Sequence, residues 1–239
     1  MPNAMKRALL AALFAVALVP TAASAKIIEL GETEEVPVPS CPTDCYAVSR
    51  TTGYQVKVGD QRDLFTVPRK GRIVAWTALT GDPSTKQVKF FDTNFGGEPS
   101  AGITVFEAGK HLTGTIVASS PIEILTDYLG RRVQFPLANS LEVKKGQVVA
   151  LTVPTWAPVL ATEQGKATSW RASRKKADCM DNSTQTAQLT IGRATTFECL
   201  YQSARLTYSV TFVTEPRVKK TKQKSSAKPT PTPTPKPKR

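Results

Sequence analysis

Histidine is almost missing from this 239-residue chain: His111 stands alone. That excludes multi-histidine metal sites and leaves one place where a histidine base could act. Aromatic residues are also scarce, so a ring platform for a flat ligand has to be drawn chiefly from Trp76, Trp156 and Trp170. No P-loop, G-x-G-x-x-G or H-E-x-x-H pattern occurs. Beyond residue 25 no segment is long and apolar enough to span a membrane, and none holds helical periodicity for three turns. Residues 217–239 contain no acid at all.

That last absence explains the formal net charge of +13. Residues 217–239 carry nine bases and residues 1–25 carry two, Lys6 and Arg7. The middle of the chain, 26–216, keeps 21 bases against all 19 acids and is close to neutral. A nucleic-acid-binding domain carries its basic stripe on the folded surface, so no nucleic-acid partner is expected. From Pro216 the composition turns to Lys, Gln and then Pro229-Thr230-Pro231-Thr232-Pro233-Thr234-Pro235. Alternating proline favours an extended spacer, and with almost nothing apolar to bury, 216–239 is expected to be a disordered basic tail.

At the other end, Lys6-Arg7 precedes the apolar run Ala8–Val19, Pro20 and the small-residue stretch Thr21–Ala25. These are the parts of a secretory signal with cleavage before Lys26; the run is short of the roughly 20 residues of a membrane anchor. Export makes the four cysteines readable, because oxidising compartments favour disulfides. Cys41–Cys45 and Cys179–Cys199 are the expected pairs. The Pro and Asp between the first two permit a turn, and the second would close a loop worth roughly 3 kcal/mol. A four-thiolate zinc site prefers two close pairs, which the distance from Cys179 to Cys199 does not provide. Neither metal nor cofactor is expected. Asn182-Ser183-Thr184 matches a glycosylation acceptor.

Between these ends lie short β-rich runs separated by turn residues. Residues 26–50 read as an irregular lead-in, with Val and Pro alternating from Glu32 to Pro39. Residues 51–215 read as the β domain. Candidate strands are Tyr54–Val58, Leu64–Val67, Arg72–Thr80, Gln87–Phe91, Ile103–Phe106, Gly114–Ala118, Ile122–Leu125, Arg132–Phe135, Val148–Val153, Ala187–Ile191 and Arg205–Val213. In the last, Leu206, Tyr208, Val210 and Phe212 share one face and Thr207, Ser209 and Thr211 the other, which predicts a well-fixed register. A short helix is expected only near Ser173–Asp178. Spacing of this kind predicts an all-β antiparallel sandwich.

Chemistry is hard to place on this pattern. His111 sits in the turn-like Glu107–His111 with no serine elbow nearby. Glu98, Glu107, Glu123, Asp127 and Glu142 are candidates for a hydrolytic carboxylate pair, although most read as solvated strand faces. Asp92-Thr93-Asn94 reads as an Asx-stabilised turn before Gly96-Gly97 rather than a calcium loop. Trp76 lies in an apolar strand and reads as core. Trp156, between Pro154 and Pro158, reads either as the most solvent-facing ring or as a packed plug. Trp170 with Arg171, Arg174, Lys175 and Lys176 reads as a solvated basic loop, with an anion or cation–π site as the alternative.

Phe65–Trp76, Phe95–Ala101, Ser169–Arg174 and Ala204–Ser209 together give a resemblance, spanning Cys41 to Phe212, to uncharacterised secreted actinobacterial proteins with a jelly-roll-like β-sandwich. The resemblance implies fold and export and carries over no functional residue. The sequence thus predicts a secreted, non-catalytic sandwich that associates with the cell envelope through its cationic Pro/Thr-rich tail. Anionic cell-wall polymers or glycans are the expected partners. Trp156, Trp170, Arg171 and Arg174 are the weak ligand-binding candidates. Carbohydrate recognition or paired-carboxylate hydrolysis are the alternatives.

Overall fold

The computed structural model describes residues 24–216 apart from Asn182. The predicted export signal up to residue 23, the glycosylation asparagine and the basic tail from Arg217 lie outside the described residues. In chain order the elements are β1 (Ile27–Leu30), β2 (Val48–Val58), β3 (Gln61–Arg62), β4 (Gly71–Leu79), α1 (Thr85–Phe95), β5 (Ser100–Ala108), β6 (Thr113–Ser119) and β7 (Glu123–Ile124). They continue with β8 (Arg132–Val143), β9 (Val148–Ala157), β10 (Leu160–Ala161), β11 (Ser169–Ala172), β12 (Ala194–Thr196), β13 (Cys199–Gln202), β14 (Arg205–Leu206) and β15 (Tyr208–Thr214).

A smaller sheet runs β1-β15-β4-β8 and a larger one β12-β6-β5-β9-β2-β11-β13, with β3 on β2, β7 on β5 and a separate β10–β14 ladder. Pairing is antiparallel throughout, and the fold is all-β and sandwich-like. The inner faces meet in one apolar core. Ile73, Trp76, Val210 and Phe212 come from the smaller sheet, and Ile103, Val105, Val149 and Leu151 from the larger. Tyr208 ties the two together: its ring stacks on Phe65 with centroids 4.1 Å apart, and its hydroxyl donates to Val149 O at 3.0 Å. The alternation of Leu206, Tyr208, Val210 and Phe212 therefore points where its period of two requires. Both expected disulfides are present, Cys41–Cys45 and Cys179–Cys199.

Four expectations are corrected. Gln87–Phe91 is not a strand but the middle of α1. Ser84 caps the helix in a capping box with Gln87, Gly96 ends it in the left-handed conformation, and Phe91 and Phe95 stack one turn apart. Leu64–Val67 is a turn that touches the larger sheet through a single Thr66–Val148 bridge. The lead-in is irregular only between Leu30 and Val48, because Ile27–Leu30 is an edge strand on β15 and β2 begins at Val48.

The fourth correction concerns Ala187–Ile191, which crosses the outer face of the larger sheet without joining it. Beneath it, Thr52, Thr152 and Thr104 are fully buried on β2, β9 and β5. Each hydroxyl has one proton, and the contacts form a chain. Thr52 reaches Thr152 at 3.1 Å, Thr152 donates to Thr104 at 2.7 Å, Thr104 reaches Ser119 at 3.3 Å and Ser119 donates to Leu189 O at 3.3 Å. Gln188 closes the other end, its N–H donating to Thr52 Oγ1 at 2.9 Å. Residues 187–191 thus satisfy a hydroxyl ladder instead of a backbone ladder. Beside it, Phe106, Phe197 and Tyr54 form a small second cluster with Ile116.

Loss of hydration pushes the buried Tyr208 phenol well above its ordinary value of 10.0. The phenol is consequently harder to ionise in the folded chain than in the unfolded one. Stability that is present below pH 10 falls above it, by about 1.4 kcal/mol per pH unit for this proton. Tyr208→Phe is expected to cost about 1 kcal/mol at neutral pH through the lost hydrogen bond. Above pH 10 its stability should decline with a slope shallower by that one proton, as read from urea titrations at stepped pH.

Candidate functional site

The four ligand-binding candidates read from the sequence all have structural occupations. Trp156 is fully buried, so its ring does not face solvent and the packed-plug reading is the right one. Its Nε1 donates to Asp92 Oδ1 and to Gly97 O, both at 2.9 Å, and Phe91 lies against its ring at 4.8 Å. This indole is what docks α1 on β9. Asp92-Thr93-Asn94 is accordingly helical rather than an Asx turn, with Thr93 and Asn94 bonding back to Lys89 O and Phe90 O.

Trp170 lies in β11 rather than a loop, stacked on Tyr201 with centroids 4.6 Å apart. Gly53 on the neighbouring strand makes room for it, since a Cβ there would sit 2.8 Å from the indole. Arg171 Nη1 donates to Phe197 O and Glu198 O. Arg174 is buried, with Nη2 on Ser49 O at 2.8 Å and Nη1 on Tyr201 Oη at 3.1 Å. Tyr201 in turn donates to Cys179 O. The cations of this stretch tie the Cys179–Cys199 loop to β2, and only Lys175 and Lys176 match the solvated-loop reading.

Most of the remaining candidates are exposed side chains. His111 is exposed in a turn with φ 54°. Glu107, Asp127 and Glu98 are exposed, Glu98 accepting from Thr126 Oγ1. Glu142 pairs with Lys70 at 3.4 Å, and Glu123 is half-buried on β7. Among the described residues no group of three or more His, Cys, Asp or Glu side chains is placed to hold a metal ion. Asp181 is held far below the ordinary carboxylate range by hydrogen bonds from Thr184 and Ser183, which fold the loop around it.

A recess lies elsewhere, on the outer face of the smaller sheet. Gly31, at φ 89° with Phe65 against its α-carbon, turns the chain out of β1. Residues 31–37 then cross over β4 and β15 and roof a space of about 150 Å³. Arg205, buried beneath them, holds the roof: Nη1 donates to Thr33 Oγ1 at 2.8 Å and Glu35 O at 3.2 Å, and Nη2 to Gly31 O at 3.3 Å. Burial lowers the pKa of this guanidinium, and the Glu35 charge partly restores it. At the rim Arg132 pairs with Glu32. On the floor, Thr77 and Ser209 face each other in register across β4 and β15. Both are at least nine-tenths buried. The sequence signal for this place was the polar face of β15, but nothing in it announced that the lead-in covers that face.

Compared with known proteins, the chain matches no family model, no curated protein and no solved structure.

Two of the three buried indoles provide a contrast. Trp76 Nε1 has no acceptor among the described residues, whereas Trp156 Nε1 has two. Trp156→Phe is therefore expected to cost about 1–3 kcal/mol more than Trp76→Phe, by losing hydrogen bonds in addition to volume. Urea unfolding of the two variants measures that difference.

Proposed function

We propose that this is an exported, non-catalytic β-sandwich protein that associates with the cell envelope through its basic 217–239 segment. The observation that carries the reading is the charge partition: nine bases and no acid follow residue 216, while 26–216 is nearly neutral. Several features support it. The Lys6–Ala25 pattern marks export, two disulfides agree with an oxidising compartment, and among the described residues no helix is long and apolar enough to cross a membrane. The side chains first read as ligand-binding are committed to packing, which weighs against a glycan platform built on Trp156 or Trp170.

Attraction of this kind is Coulombic and nonspecific. It reaches about 10 Å at 0.1 M salt and 3 Å at 1 M, so the partner class is anionic wall polymer or anionic head group. Full-length protein and a chain ending at Pro216 are to be compared for retention on isolated envelope across that salt range. The full chain is expected to be retained more strongly at 0.1 M, with the difference vanishing at 1 M. Equal retention at both salts removes the anchoring role.

A further inference from the structure

The geometry points to the recess beneath residues 31–37 as a binding site for a neutral polyhydroxylated ring, one glycosyl unit in size. The site is separate from the basic segment and does not depend on it. Its floor is the main argument. Thr77 and Ser209 are the two register-paired hydroxyls of β4 and β15, both buried, and neither side chain has a hydrogen-bond partner among the described residues. Thr207, beside them, spends its hydroxyl on Leu79 O at 2.6 Å. Neither oxygen is sealed from solvent, so the recess, which both residues line, offers a ligand two unpaired hydroxyls that can each donate and accept.

The walls narrow the class further. Arg132 and Glu32, paired at the rim, present a planar donor fork beside a carboxylate, the two groups that best grip adjacent hydroxyls from opposite polarity. Leu79, Val36 and Pro37 supply an apolar side, which suits the C–H face of a sugar ring. Charges around the space are balanced, Arg132 and Arg205 against Glu32 and Glu35, so a net charge on the ligand gains nothing. The space is about 150 Å³, the size of cavities that admit a single six-membered ring. One saturated ring fits that volume; an oligosaccharide has to leave its other units outside.

The test is NMR titration of the full-length chain with glucose, galactose, mannose and N-acetylglucosamine, alongside glucuronate and cyclohexanol. At least one neutral sugar is expected to shift the amides of Thr77, Ser209 and Thr33 saturably. Ser209→Val, which fills the floor and removes a hydroxyl, is expected to weaken that binding by about tenfold or more. Arg132→Leu, at the exposed rim, should weaken it without unfolding the sandwich, and so guards against a Ser209 variant that fails to fold. Saturable binding of cyclohexanol as strong as that of the sugars overturns the assignment. So does binding of glucuronate alone, or shifts with every sugar that leave the recess untouched, or no shift with any probe.

Discussion

Buried hydroxyls on the outer face of the larger sheet and the buried guanidinium of β14 have to find hydrogen-bond partners, and much of the chain outside the strands is arranged to supply them. An antiparallel sandwich ordinarily leaves its outer faces in water, where polar side chains are satisfied by solvent. Here β2, β9 and β5 carry Thr52, Thr152 and Thr104 at no exposure, and β14 carries a buried arginine. Withdrawing such groups from water without partners costs several kcal/mol in sum. Two extended segments offset that cost with their own backbone and hydroxyl groups. Residues 187–191 take up the threonine ladder, and residues 31–37 take up Arg205. Neither segment joins a sheet, because what it bonds to is side chain.

That arrangement shapes what the molecule can do. The interior is filled by three indoles, by Phe rings and by Tyr208, and the basic stretch around Trp170 is spent on holding the Cys179–Cys199 loop. What remains available is surface, a recess under one covering segment, and the charge carried by 217–239. The two proposed modes also differ in physical kind. Attraction by the basic segment is long-ranged and screened by salt, whereas the recess would work through short directional hydrogen bonds that salt affects little.

Much of this was legible in the residues, and the failures have physical causes. The two-residue period of Leu206–Phe212 located the central strand of the smaller sheet and its buried face. Cysteine spacing located both disulfides. Gln87–Phe91 misled because Val88, Phe90 and Phe91 look like a strand run, while the Ser84–Gln87 capping box and Gly96 outweigh them; Phe90 ends exposed. Trp156 misled because Pro154 looked like the end of a strand. In the structure the β2–β9 register shifts opposite that proline, so no ladder N–H is needed there and β9 runs on to bury the indole. Ala187–Ile191 had the alternation of a strand, and nothing local distinguishes a strand from a segment bonded to threonine hydroxyls. The recess was illegible for a similar reason: its roof and floor are forty or more residues apart in sequence.

The account rests on covering segments bonded to buried side chains, and the backbone amide of Gln188 reports on this directly. Its N–H donates to Thr52 Oγ1 rather than to any strand. Native-state hydrogen exchange should find this amide protected to the level of the β2 and β9 amides below it, and Thr52→Val should abolish that protection while leaving the strands protected. Exchange of Gln188 at the rate of an exposed loop in the unaltered protein would contradict the account.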